Sequence, residues 1–406
     1  MRWVGGANGA SLRPVLAEPI TTPVTTRGRV PLGVLTLVKL LLGVALRLPY
    51  LFLGTVTRNL GISVADGGRI LGVGELAGLA SIGIGPSLDR GRHRRWLLTG
   101  MAIGILGCFG VAAVHTSAGL LVGFGAICMG MGLIATAGHS FLGTEVPYAQ
   151  RSRAIGLFET SWAGALLLGA PVAAVVMRFV GWWSPWLLVG VMLAAVMPAT
   201  AARMPGHASS STRAVASDTI FAWRAVISTV VGSNLMVVGA IVMFATFGPW
   251  LQDQHHVKDV GLGAVAVGLG FMELISTSGS AAVADRIGKR RAVLLGMLVM
   301  TVAAVLLLVV GNRSLIAAVV GIVGLFGGFE FAYVSLLAVT SEVGGARRAT
   351  VVSVEHSLST VMRAAGAAVG TWLYGRSGLH PVLAVTIVCA LGSAVVVLAS
   401  GAERFR

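Results

Sequence analysis

The sequence predicts an all-α membrane protein of twelve transmembrane helices in two pseudo-symmetric six-helix bundles. Three observations carry that prediction. The 406 residues are 56% hydrophobic and only 11% charged, against roughly a quarter charged in an ordinary soluble chain. The mean hydropathy is +0.88, and the apolar excess is spread along the chain rather than gathered in one segment. Landmarks of the first half also recur in the second at a nearly constant offset. A large soluble domain is excluded, because so few charges cannot keep its surface wet. A bilayer accepts only helices or closed barrels. Barrel strands would alternate over ~10 residues, whereas the runs here are continuous stretches of Leu, Val, Ala and Gly.

Twelve apolar runs follow in order: 31–56, 67–86, 96–114, 119–142, 152–176, 182–202, 225–250, 262–284, 292–311, 315–340, 350–374 and 379–400. Each is long enough for a span of ~20 residues. Most connections are short. The exception, 203–224, holds Pro205 and Ser209-Ser210-Ser211 among mixed charges and reads as a flexible linker. The expected organisation is an N-terminal segment 1–30, a bundle 31–202, the linker 203–224, a bundle 225–400 and a tail 401–406. No continuous apolar core precedes Pro31, so no cleavable signal peptide is expected.

Orientation follows from the connections. The N-terminus, the connections after spans 2, 4, 6, 8 and 10, and the C-terminus together carry 21 Lys and Arg. The opposite set holds Arg58, Arg69, Arg178, Lys258, Arg313 and Arg376. The positive-inside rule therefore places both termini and the linker in the cytoplasm. It also accounts for the net charge of +15 without a nucleic-acid partner, since no basic stripe carries interleaved aromatics. Arginine outnumbers lysine 27 to 3, which hints at a GC-rich bacterial genome and thus a bacterial inner membrane. Cys108, Cys128 and Cys389 all sit in apolar runs, so neither a disulfide framework nor a metal set is implied.

The two halves repeat. Leu71-Gly72-Val73-Gly74-Glu75-Leu76 in span 2 parallels Leu269-Gly270-Phe271-Met272-Glu273-Leu274 in span 8. Asp89-Arg90-Gly91-Arg92 after span 2 parallels Asp285-Arg286-Ile287-Gly288 after span 8, and Glu145 with Arg151 parallels Glu342 with Arg348. An offset of six spans gives both halves one orientation, the parallel repeat of certain transporters.

These loops resemble the signature of the major facilitator superfamily, glycine-x-x-x-aspartate-arginine-x-glycine-arginine/lysine. Asp285-Arg286-Ile287-Gly288-Lys289-Arg290 matches its second part; Gly85-Pro86-Ser87-Leu88-Asp89-Arg90 matches its first, with the later glycine displaced to Gly91. The resemblance covers the chain from about residue 31 onward. It implies two bundles around a central cavity, with Asp89, Arg90, Asp285, Arg286, Glu145, Arg151, Glu342 and Arg348 as conformational gate residues. In span 5, Gly164 and Gly169-Ala170-Pro171 resemble a degenerate glycine-proline motif of drug–proton antiporters, although Ala173-Ala174 stand where paired glycines would follow. That branch's span-4 arginine is absent; Ala126, Ile127 and Cys128 occupy the region.

Ionisable groups inside a bilayer cost at least ~2.5–3.5 kcal/mol each, so they mark function. They are Arg47, Glu75, Glu159, Glu273, Glu330, Glu355 and Arg363, and the interiors of spans 3, 6, 9 and 12 hold none. Those four spans are expected to face lipid. By depth, Glu75 lies roughly 12 Å and Arg47 about 14 Å from the outer ends of their spans, which predicts an Arg47–Glu75 pair. Glu273, near mid-membrane, has no evident cation and is the expected proton or cation site. Glu159 and Glu355 occupy equivalent places and are expected to bond from helix to loop. His139 and His356 read as packing or capping histidines. Asn234 could bond substrate or another helix. Phe329, Phe331 and Tyr333 around Glu330 could flank an organic cation or simply pack. Asp253-Gln254-His255-His256 with Asp259 offers metal-ligand types without diagnostic spacing and reads as a solvated loop.

The function expected is proton-coupled efflux of a drug-like or metabolite substrate by a monomeric carrier without cofactor. The alternative is a proton-coupled uptake carrier for a nutrient, and a non-transporting receptor or scaffold is a further one. A membrane enzyme lacks a catalytic constellation. The family resemblance implies that the loop after span 2 locks the cytoplasmic side against span 11. Asp89→Asn should then shift the population toward inward-facing and Asp285→Asn should do so less. Cysteine accessibility on the two faces checks this, and equal effects of the two substitutions would refute the asymmetry.

Overall fold

The computed structural model describes residues 31–206, 223–343 and 348–399. The expected terminal segments and most of the linker therefore lie outside the described residues. Twelve long helices follow the twelve runs: α1 Leu32–Leu51, α2 Val64–Leu88, α3 His93–Ala113, α4 Ser117–Glu145, α5 Arg153–Val180, α6 Ser184–Arg203, α7 Trp223–His255, α8 Asp259–Ile287, α9 Lys289–Gly311, α10 Leu315–Val343, α11 Arg348–Ser377 and α12 Leu379–Ala399. No strand occurs among the described residues. Eleven of these helices are long and apolar enough to cross a membrane on composition alone. The other is α11, which carries Glu355 and Arg363 in its interior. It is 30 residues long, about 45 Å at the helical rise.

Within the first half α3 packs on α4 and α6, and α1 on α4, α5 and α6; within the second α9 packs on α10 and α12, and α7 on α10, α11 and α12. Backbone contact makes the tightest of these possible. A Cβ on Gly100 of α3 would stand 2.9 Å from the Gly130 carbonyl oxygen of α4. A Cβ on Gly296 of α9 would stand 2.7 Å from the Gly328 carbonyl oxygen of α10. These pairs repeat at offsets of 196 and 198 residues, the same spacing as the sequence landmarks. Without a hydrophobic drive between helices in lipid, such small-residue faces supply the close dispersion contact. The four helices with charge-free interiors turn large apolar side chains outward, among them Leu106, Val191, Val302 and Val388.

Two seams join the halves. On one, α2 meets α11, and a Cβ on Gly72 would lie 2.5 Å from the Ala364 carbonyl oxygen. On the other, α8 meets α5, and a Cβ on Gly270 would lie 2.8 Å from both the Ala163 carbonyl oxygen and the Leu167 nitrogen. Gly72 and Gly270 are equivalent positions of the repeat.

The two ends of the molecule differ. The end carrying the Asp89–Arg95 loop, called here the basic end, leaves Asp89, Arg90 and Arg286 exposed. The side chains of Asp285, Glu342 and Arg348 lie outside the described residues. Glu145 and Arg151 sit at the α4–α5 connection, where Arg151 donates to the Val146 carbonyl at 3.4 Å. At the opposite end α1 breaks at Phe52, just after Pro49, and continues as a short helix, Leu53–Leu60. Helix α7 breaks likewise between Phe244 and Phe247. The two broken helices meet there, Gly54 against Pro249 and Gly248 against the Leu51 carbonyl. Polar contacts close the junction. Thr55 donates to Asp259 at 2.5 Å, Gln252 donates to Thr55 at 2.8 Å and to Asp259 at 2.9 Å, and Arg58 donates to Gln252 at 2.9 Å. Tyr374 of α11 donates to Asp253 at 2.8 Å. The segment read as a solvated loop is thus the end of a helix. His255 adds a bond to the Gly311 carbonyl at 2.8 Å, because the break in α7 lets the helix resume toward the α9–α10 connection.

Gly270→Val places branched carbons against backbone atoms that cannot move aside, and overpacking of this kind costs typically ~1–3 kcal/mol. Thermal unfolding in detergent should show a melting point lowered by several degrees. Gly279→Ala in the same helix, where a Cβ meets nothing within 4 Å, should leave it unchanged.

Candidate substrate and ion cavity

Helix geometry gathers the ionisable groups on inner faces. At about 100° per residue, Lys39, Arg47 and Tyr50 of α1 fall within an arc of ~80°. Glu355, Ser359 and Arg363 of α11 share a similar arc, and Glu273 and Thr277 of α8 stand one turn apart.

Arg47 makes a two-pronged pair with Glu273, Nη1 to Oε2 at 2.7 Å and Nη2 to Oε1 at 2.9 Å. The expected Arg47–Glu75 pair is therefore not formed, and Glu273 does not lack a cation. Depth along the chain put Arg47 level with Glu75 and left Glu273 without a cation; it carried no information on azimuth, and the guanidinium projects across the interface to α8. Glu75 is buried at 4% exposure and is satisfied differently. Tyr50 donates to its Oε1 at 3.0 Å, and Arg363 Nε reaches its Oε2 at 3.4 Å. Arg363 also donates to Thr360 at 3.1 Å. Both ion pairs thus cross between the halves, with equivalent glutamates each taking an arginine from the opposite bundle.

A third cluster lies nearer the basic end. Lys39 of α1, 1% exposed, donates to Glu159 of α5 at 2.7 Å, and His139 Nε2 of α4 stands 2.7 Å from the same oxygen. The Lys39 ammonium lies 4.3 Å from the Phe158 ring centre and 5.4 Å from that of Trp162, which also receives Arg47 at 5.0 Å. Glu159 therefore bonds between helices and not to a loop, and His139 is more than a packing group. Neither Lys39 nor its aromatic seat entered the sequence reading. The available signal was that Lys39 is the only lysine inside a span. The side chains of Glu159 and His139 are 31% and 43% exposed, in contrast to Lys39.

Two of the glutamates inside the spans, Glu355 and Glu330, have no ion pair among the described residues. Glu355 is buried and accepts from Ser359 at 2.9 Å and from Tyr333 at 3.3 Å. It too bonds to helix and not to loop. Glu330 of α10 accepts a single hydrogen bond, from Thr277 at 3.2 Å, which places it one helical turn from Glu273 across the α8–α10 contact. Phe329 and Tyr333 stack beside it with ring centres 5.5 Å apart and planes at 23°; Phe331 is half-buried. Asn234 is buried in α7 and donates to the Val230 carbonyl of its own helix at 2.8 Å, so it bonds neither another helix nor the cavity. His356 is exposed next to Glu355.

Removing one member of a buried pair strands the other charge, at a cost of roughly 3–5 kcal/mol. Arg47→Gln and Glu273→Gln should each lower thermal stability, and the double substitution should recover part of the loss. The same cycle run on Arg47 and Glu75 should give a coupling near zero, since distant groups add independently. A large Arg47–Glu75 coupling would contradict the pairing.

The arrangement has counterparts. The sequence model of the Major Facilitator Superfamily matches residues 35–354. A stretch of 229 residues is 26% identical to YwfA of Bacillus subtilis, an uncharacterized MFS-type transporter; the match spans 53% of this chain and 54% of that protein. Among solved structures, a bacterial homologue of the human lysosomal transporter Spinster, inward-facing and occupied, superposes with a TM-score of 0.73 at 15% identity, over 93% of this chain and 97% of its own. The peptide transporter POT in complex with sulfate gives 0.73 at 14% identity, over 92% and 94%. At such identities the structural likeness is one of fold. Sequence model, repeat and bundle architecture agree, and the chain belongs to the major facilitator superfamily.

Proposed function

We propose that this transporter is a proton-coupled efflux carrier for a small amphiphilic molecule, working by alternating access in a bacterial cytoplasmic membrane with its basic end inside. One observation carries the coupling: Glu330 stands near four other charged groups already paired among themselves, Lys39 with Glu159 and Arg47 with Glu273, and itself accepts only from a threonine hydroxyl. A carboxylate held away from bulk water without a cation is neutralised, by a proton or by a cationic ligand. Glu330 therefore replaces Glu273 as the coupling group, because Arg47 already neutralises Glu273. Competition between a proton and a substrate for one carboxylate links the two fluxes.

The aromatic stack of Phe329 and Tyr333 beside Glu330 suits the apolar body of an organic cation. The asymmetry of 21 against six basic residues supports the orientation. The partly exposed Glu159–His139 cluster then faces the cytoplasm, where an exporter loads. Rocking about the Gly72–Ala364 and Gly270–Ala163 seams would close that side and part the Thr55–Gln252–Asp259 contacts. The degenerate glycine-proline stretch supports export, since it lies on the α5–α8 seam: a Cβ on Gly263 would be 3.3 Å from Pro171 Cα.

Purified protein in liposomes, with a panel of labelled organic cations and an imposed pH gradient, tests the reading. Glu330→Gln should lose gradient-driven accumulation by tenfold or more while keeping substrate exchange. A full response in that variant would move the coupling to Glu355 or to the Glu159–His139 pair. Accumulation against the predicted direction would replace efflux by uptake.

A further inference from the structure

At the end opposite the basic loops a cavity of about 610 Å³ opens between the halves, lined by Thr55, Arg58, Arg178, His256, Lys258 and Asp259 among others. Its charge is lopsided. Three fixed cations face one carboxylate, and that carboxylate is already committed to Thr55 and Gln252. Arg58 is partly engaged, with Gln252 at 2.9 Å and a distant Asp253 at 3.9 Å. Among the described residues Arg178 has only the Phe179 ring, at 5.8 Å, and Lys258 has no hydrogen bond or ion pair from its side chain. Only six Lys or Arg belong to this end of the sequence, and half of them converge on one cavity.

One further feature adds to this field and another shapes the cavity wall. The N-terminus of the 29-residue helix α8 opens here with no side chain capping it, so the positive end of its dipole adds to the field. His256 has φ +53°, the one positive φ at a non-glycine among the described residues. It is the left-handed cap of the helix before it, with its backbone N–H on the Leu251 carbonyl. It sets a potential hydrogen-bond donor at the cavity wall beside Lys258.

We propose that this cavity is an anion site that takes a phosphate-bearing small molecule or headgroup, and that its occupant latches this end closed. A phosphate group offers several strong acceptor oxygens, the number needed to satisfy two arginines and a lysine at once. The volume leaves room for an organic substituent. Arg58 and Arg178 come from the first half and Lys258 from the second, so one bound anion ties together the halves already joined by Thr55, Gln252 and Asp259. A ligand that binds only the closed arrangement shifts the population toward it. This inference does not depend on the coupling ion or on the direction of transport.

The test uses the full-length protein. In detergent at constant ionic strength, glycerol 3-phosphate and inorganic phosphate should raise the melting temperature saturably, while chloride should not. Arg178→Gln and Lys258→Gln, both at exposed positions, should each weaken the apparent affinity at least fivefold, and together they should abolish the shift. In nanodiscs of phosphatidylglycerol against phosphatidylcholine, a stabilisation that the double variant loses identifies a lipid headgroup as the source; a response confined to the soluble ester identifies a free metabolite. Spin labels at Asn59 and Ile316, on opposite halves, should show the short distance enriched by the ligand. No saturable shift with either source, or an equal shift in the double variant, overturns the site. A ligand-independent distance distribution overturns the latch.

Discussion

The halves of this chain meet where a helix backbone from one rests directly on a helix backbone from the other. At Gly72 and at Gly270 no side chain intervenes, and the neighbouring carbonyls of Ala364 and Ala163 fill the space a Cβ would need. Three residues further on each helix, a glutamate receives an arginine from the opposite bundle. At Gly72 close approach and ion pair join the same two helices, α2 and α11, and the pair supplies the polar attraction that apolar helices in lipid lack. At Gly270 the packed helix is α5, and the arginine comes from α1, which packs on α5. Arg47 and Arg363 are consumed by these pairs, which leaves Glu330 and Glu355 as the uncompensated charges of the interior.

Much of the architecture was legible in the sequence because the bilayer leaves so few options. Hydropathy and alternating loop charge located the spans, and the repeat of Gly72–Glu75 in Gly270–Glu273 identified the halves. The charge-free interiors of α3, α6, α9 and α12 marked the outer wall. The site was legible in its residue types but not in its pairings. Counting residues gives depth at 1.5 Å each, and depth alone assigned Arg47 to Glu75 where the structure pairs it with Glu273. The choice depends on helix rotation and on crossing between bundles, neither of which a local pattern encodes. Lys39 was hidden for a related reason. Its ammonium is wrapped by Phe158, Trp162 and Glu159, all more than a hundred residues away, and its own neighbourhood is an ordinary apolar helix.

The cavity and the closed end use opposite chemistry. Facing the basic end, the interior carries surplus carboxylates beside stacked aromatic rings. At the far end, surplus cations line a space of about 610 Å³ around a helix N-terminus. The two regions therefore carry fields of opposite sign, one that attracts a cation and one that attracts an anion.

Helix α11 carries Glu355, Arg363 and a run of Ser and Thr, and it alone among the twelve fails the test of composition. On its own it would enter a bilayer poorly, since each central charge costs the translocon-inserted segment ~2.5–3.5 kcal/mol. Glu75 of α2, Tyr333 of α10 and the backbone of α7 are what make it acceptable, and all of them are synthesised earlier. The stability of this segment in a bilayer therefore rests on partners from α2, α7 and α10 and not on its own composition.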